Sequence, residues 1–134
     1  MQKPVNVPSY EEIHRVVQAF YKKVLDHPEL GLFFSHIDDF AEHEQRIVDF
    51  WWMSMGGKLD DPPKIDMIGK HFPLGIKETD LQQWLALFSE TLGEQLNEPK
   101  GLLWMDKVLL IAARLKQIVI DKQTMGVQIS EPKP

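Results

Sequence analysis

The chain contains no cysteine. That removes disulfides, thiolate metal sites and cysteine nucleophiles together. Basic charge is also short: fifteen Lys and Arg face twenty Asp and Glu, for a net charge of -5. No cluster of cations interleaves with aromatics, so nucleic acid and acidic membrane surfaces lack their electrostatic footprint and neither is expected as a partner. No apolar run approaches the roughly 20 residues of a membrane span. The opening MQKPVNVPSY has no apolar signal core, and a soluble cytoplasmic protein is expected. A Gly-rich phosphate loop, a legible Ser–His–acid arrangement and the period-two pattern of strands are missing as well.

What is present is helical periodicity and aromatic mass. The 134 residues suit one domain with a single core. Seven Phe, four Trp and two Tyr are many for so short a chain and point to a wide, flat surface that needs lining. Ser9 and Glu12 form a capping box, and Ile13, Val16, Val17, Phe20, Val24 and Leu25 then recur at helical spacing until Pro28. Leu30, Phe33 and Phe34 make a short apolar turn. Asp38 or Asp39 can cap a second helix, whose inner face runs Phe40, His43, Ile47, Phe50, Trp51 and which ends at Gly56-Gly57. Thr79 with Gln82 reads as another capping box, opening a helix through Leu81, Trp84, Leu85, Phe88, Leu92 and Leu96. Pro99 and Gly101 then interrupt, and a last helix is expected from about Leu102 to Asp121, apolar on more than one side as if neighbours packed on two faces. The expected organisation is an extension over 1–8, one domain over 9–122 and a disordered tail over 123–134.

Two of the five histidines stand out. His43 shares an inner helical face with apolar residues, and His71 lies in Ile68-Gly69-Lys70-His71-Phe72-Pro73, with room for one or two helical turns. Alone, an inward histidine is as readily a packed core residue as a ligand; His14, His27 and His36 read as ordinary surface or turn residues. His43-Glu44-Gln45-Arg46-Ile47 begins like a zinc-protease helix, yet Ile47 stands where the second imidazole is required. Di-iron bundles need Glu three residues before each histidine, and neither His43 nor His71 has one. A haem site asks for less: one axial imidazole, a flat apolar slot and a few donors over the iron. His71, His43, Tyr21 and Trp84 supply that set.

Four stretches carry a resemblance to a known family. Phe20-Tyr21-Lys22-Lys23-Val24 is similar to the second-helix signature of group III truncated haemoglobins, and Ala41-Glu42-His43 through Phe50-Trp51 to their distal helix. Lys70-His71-Phe72 before a proline-containing loop resembles the proximal segment, and Trp84-Leu85-Ala86-Leu87-Phe88 the run that places a pocket tryptophan. The four occur in order over about residues 9 to 121. The joints near Pro28 and before Thr79 lack the diglycines of the other groups, and a distal histidine with a later tryptophan is the group III combination. Trp52, a second large ring beside Trp51, departs from the pattern.

The resemblance implies an all-α fold, the two-over-two helical sandwich of a truncated globin. It also implies a b-type haem, iron protoporphyrin IX, whose iron is held by His71 without covalent attachment. Phe33, Phe34, Phe40, His43, Ile47, Phe50, Met67, Phe72 and Phe88 are the expected haem contacts or the core behind them, and Lys70 or Arg46 could reach a propionate. Tyr21, His43 and Trp84 are the expected distal residues, and no residue is assigned a catalytic role. The implied ligands are dioxygen, nitric oxide or carbon monoxide. Ligand storage, nitric oxide detoxification with a separate reductase, and peroxide or redox chemistry are the competing uses, in a monomer or weak dimer. A non-haem helical module that docks a partner helix on its aromatic face is the alternative of a different class.

Overall fold

A computed structural model describes residues 7–34, 37–61 and 76–117. Among them the chain forms α1 (Tyr10–Asp26), a 3₁₀ segment (Leu30–Phe34), α2 (Phe40–Ser54), α3 (Glu78–Gln95) and α4 (Glu98–Leu115), with no strand. The start of α1 follows from its first residues. Ser9 Oγ accepts from Glu12 N at 3.1 Å while Glu12 Oε1 accepts from Ser9 N at 2.9 Å, so two amides without helical partners are satisfied reciprocally. Ile13, Val16, Val17, Phe20, Tyr21 and Val24 then face inward, and all are buried. Three- and four-residue steps keep side chains on one face of a 3.6-residue helix.

That face sits at the centre of the fold. α1 packs against both α2 and α3, and α3 in turn packs against α4. The result is a pair α1/α2 laid over a pair α3/α4. Trp51 of α2 bridges the layers, its ring 5.6 Å from Trp104 of α4 and 6.2 Å from Phe88 of α3. This is the truncated-globin sandwich expected from the sequence. No helix among the described residues is long and apolar enough to cross a membrane.

Three local expectations are corrected. α3 begins at Glu78, so Thr79 lies inside its first turn rather than at the cap. The carboxylate that reaches back is Asp80, whose Oδ2 accepts from Lys77 N at 2.9 Å. The last helix begins at Glu98 and not near Leu102, with Asn97 Oδ1 accepting from Lys100 N at 3.0 Å. Pro99 does not interrupt it, because a first-turn residue has no helical hydrogen bond for proline to remove. Trp104, not singled out from the sequence, lies at the centre of the core with no exposure. Conversely, Leu102, Leu109 and Leu110 are exposed, so α4 buries one face, along Trp104, Val108 and Ala112, and not two.

Trp52 finds its place at the end of α2. Its ring meets Tyr10 edge-on at 5.6 Å and its Nε1 donates to Lys58 O at 3.4 Å. Gly56 turns the chain with φ +96°, a backbone conformation glycine adopts without strain. Gly57 then lies so close to the Trp52 indole that a Cβ would overlap the ring. The Tyr10 hydroxyl donates to Asp49 Oδ1 at 2.9 Å and accepts from Gln45 Nε2 at 2.6 Å, tying the start of α1 to α2. Burial, and then the Asp49 carboxylate, raise the pKa of this phenol.

Glu12 has a second function beyond its cap. Lys100 Nζ donates to both of its oxygens, at 2.8 and 3.0 Å, joining the first turns of α1 and α4. The lysine is the main reason the Glu12 carboxyl lies below its ordinary value. A lowered folded-state pKa means the contribution is full above the ordinary glutamate range and is lost as pH falls through the lowered value. Glu12→Gln should therefore cost about 1 kcal/mol at pH 7 and less at pH 3, measured by urea unfolding. Equal losses at both pH values would show that the charge contributes nothing.

Candidate functional site

The consecutive residues Phe20 and Tyr21 organise the site. Phe20, 1 % exposed, is edge-on to Tyr21 at 5.2 Å, to Trp84 at 5.0 Å and to Phe88 at 4.9 Å. Aromatic pairs favour this edge-to-face approach because the positive ring edge meets a negative face. Trp84 lies flat on Phe88, their planes 3° apart at 5.2 Å, as expected for residues one helical turn apart on α3.

On its other side Tyr21 meets a second group. Phe34, from the 3₁₀ segment, and Phe40, from the first turn of α2, are both 5.4 Å from its ring, and His43 is 5.8 Å away. His43 is also 5.7 Å from Phe34 and 5.5 Å from Phe40. Four residues from three elements therefore form one cluster: Tyr21, Phe34, Phe40 and His43. Asp39 sets the start of α2 and hence the direction of His43, its Oδ1 accepting from Glu42 N at 3.1 Å.

Two polar atoms in this aromatic setting are conspicuous. The Tyr21 ring is buried, yet among the described residues its hydroxyl has no hydrogen-bond partner. Burial, with a smaller contribution from the Glu44 carboxylate, pushes its pKa well above the ordinary tyrosine value. It is thus a neutral hydrogen-bond donor across all physiological pH. The Trp84 indole Nε1, which can only donate, has no hydrogen-bond partner among the described residues either. Phe20 stands between the two rings. An apolar aromatic surface with two uncommitted donors fits a flat apolar cofactor whose small ligand needs hydrogen bonds. Among the described residues no group of three or more His, Asp or Glu gathers as a bare-metal site would require.

Of the other expected contacts, Phe33, Ile47 and Phe50 are half-buried against the core, Phe50 with its ring 5.1 Å from Trp51. Phe88 is fully buried beneath Trp84. Arg46 is exposed on α2. His71, Met67, Phe72 and Lys70 lie outside the described residues. Sequence reasoning missed the bridging role of Trp104 and the anchoring of Trp52. Trp104, Val108 and Ala112 are spaced four apart, a signal masked by the exposed leucines, Leu102, Leu109 and Leu110, on the rest of that helix.

The chain matches the bacterial-like globin family over residues 6–104. Comparison with curated proteins gave no match. Among solved structures it is similar to the group III truncated haemoglobin of Campylobacter jejuni, with TM-score 0.75 and 24% identity over 87% of this chain and 95% of that one. The group II truncated haemoglobin of Bacillus anthracis gives TM-score 0.73 and 19% identity, over 86% and 92% of the two chains. The helical order, the α1/α2 over α3/α4 layering and the match across most of the sequence have one common account: the chain belongs to the bacterial-like globin family.

Proposed function

We propose that this protein binds a b-type haem through His71 and holds a diatomic ligand over the iron with Tyr21 and Trp84, in the manner of group III truncated haemoglobins. Membership of a globin family implies a haem cofactor and a gaseous diatomic ligand. The observation that carries the finer reading is the pair of uncommitted donors, Tyr21 Oη and Trp84 Nε1, on either side of Phe20. The group II and group III relatives match the backbone about equally. The choice of group III therefore rests on side chains, namely His43 against Tyr21 with a tryptophan on the later helix.

When bound, the haem would supply a ligand position and a redox centre, and His71 is the residue that would hold it. The chain's own residues do the rest. Phe34, Phe40 and Phe88 keep water from the site, which strengthens every dipole inside it. Tyr21 and Trp84 would donate hydrogen bonds to a diatomic ligand. They would favour dioxygen over carbon monoxide, because a preset donor stabilises the more negatively charged ligand. Such retention suits conversion of the ligand better than storage. Nitric oxide detoxification, with a separate reductase to return the electron, is the leading use, and peroxide chemistry the second.

An absorption spectrum of the purified, haem-reconstituted protein is the first test. A Soret band with stoichiometric haem supports the reading; no uptake would favour the helical interaction module instead. His71→Ala should abolish haem retention or restore it only with added imidazole, and an unchanged Soret band and ligand affinity would overturn the proximal assignment.

Tyr21→Phe and Trp84→Phe keep the aromatic bulk and remove one donor each. A hydrogen bond to a charged acceptor contributes about 1.5–3 kcal/mol, so dioxygen release measured by stopped flow should accelerate roughly tenfold to a hundredfold. Unaltered release in both variants removes these residues from the ligand's surroundings.

His43 sits where an aromatic cluster meets a charged face, with Glu42 and Gln45 exposed beside it. We assign it the gate: protonation favours its outward form. His43→Ala should raise ligand association, seen by flash photolysis, with a smaller effect on release than the Tyr21 or Trp84 variants. A bis-histidine six-coordinate spectrum of the ligand-free ferrous protein, lost in His43→Ala, would replace the gate by a sixth-ligand role.

A further inference from the structure

His27 closes α1 with both its main chain and its ring. Its amide donates to Val24 O at 3.0 Å and its carbonyl accepts from Gly31 N at 3.0 Å. Its side-chain Nδ1 accepts from Glu29 N and from Leu30 N, each at 3.1 Å. These amides stand at the start of the 3₁₀ segment, where helical N–H groups have no carbonyl of their own to bond. The imidazole here takes the part that Ser, Asp or Asn usually plays. Two donors aimed at Nδ1 require the neutral tautomer with its proton on Nε2.

The segment held this way has little freedom elsewhere. A Cβ on Gly31 would come within 2.8 Å of Leu25 O and 3.2 Å of Val24 O, so the turn lies directly on the last turn of α1. On the side of α3, Gln83 Nε2 donates to Glu29 Oε1 at 3.1 Å. What the segment carries is one side of the ligand cluster. Phe34 is its last residue, 5.4 Å from Tyr21, 6.0 Å from Phe40 and 5.7 Å from His43.

We propose that His27 is a positioning residue, whose neutral ring holds the 3₁₀ segment so that Phe34 packs against Tyr21 and His43, and whose protonation at Nδ1 loosens that side of the pocket. Its consequence for ligand entry rests on the function proposed above; the cap itself does not. A protonated Nδ1 is a donor facing two donors, so both hydrogen bonds are lost together. The charged groups on the elements packed against the segment are Lys22, Lys23 and Asp26 in the last turns of α1, Glu29 of the turn, and Glu78, Asp80, Glu90 and Glu94 of α3. Lys23 pairs with Glu90 and Glu94, both at 2.7 Å. Among the described residues no carboxylate pairs with the His27 ring and so none offsets its charge. The cap is in place while the ring is neutral and is lost once Nδ1 carries a proton.

The test follows amide protection of Glu29 and Leu30 by hydrogen exchange and NMR in the full-length protein, with intrinsic exchange rates divided out. Protection should fall roughly fivefold to tenfold between pH 8 and pH 5. His27→Asn keeps an uncharged acceptor and should abolish the pH dependence, while His27→Asp should move it toward about pH 4, the carboxylate range. Constant wild-type protection, or an unchanged pH profile in His27→Asn, overturns the cap. Should neither variant fold, the wild-type profile alone decides. In haem-loaded protein, carbon monoxide association should follow the same pH profile in wild type and lose that component in His27→Asn. A cap that titrates while association stays fixed overturns the positioning role. Failure to take up haem would count against the proposed function and leave the exchange measurement standing.

Discussion

The Phe20 ring, fully buried on α1, meets Tyr21, Trp84 and Phe88 edge-on within about 5 Å. Through it the upper layer of the sandwich touches the lower, and the chemistry of the pocket is fixed to the core. A ring of that size in a close-packed interior leaves no slack. Moving α1 by a fraction of a ring width would displace Tyr21 and Trp84 together, which is how two donors from different helices keep a fixed relation. Trp51, Phe88 and Trp104 extend the same packing to α4.

Around this rigid centre the cluster of Tyr21, Phe34, Phe40 and His43 is assembled from several elements. Tyr21 belongs to the long helix, but Phe34 comes from a five-residue 3₁₀ segment and His43 from the first turn of α2. Short segments bury little surface and depend on caps for their geometry. Here Asp39 caps one and His27 the other. The pocket thus joins a firmly packed side, from Phe20, Trp84 and Phe88, to a side held by a few hydrogen bonds. The ligand site proposed here, which would retain a small molecule and also admit it, calls for both kinds of support.

Electrostatics enter through burial more than through charge. Removal from water holds the Tyr21 proton firmly in place. The charged pairs lie at the periphery: Lys23 with Glu90 and Glu94 along α1 and α3, and Lys100 with Glu12 where α1 and α4 begin. They set helix against helix. The interior is left mostly to rings and aliphatic side chains.

Much of this was legible in the residues. The face Ile13, Val16, Val17, Phe20, Val24 specified α1, Ser9 and Glu12 its start, and Gly56-Gly57 the end of α2, because caps and helical periodicity are local and act within a few residues. Tyr21, His43 and Trp84 could be named as candidates for the same reason: each falls on or beside an apolar stripe. Their partners could not be named. That Phe20 stands between Tyr21 and Trp84, that Trp104 and not Leu102 or Leu109 faces the core, that Trp52 rests on Tyr10 and Gly57, and that His27 turns its Nδ1 on two amides all depend on how helices cross. A stripe tells which side of a helix is buried; only the packed tertiary structure decides which ring meets which, because that contact is made between residues far apart in the chain and is set by shape rather than by local pattern.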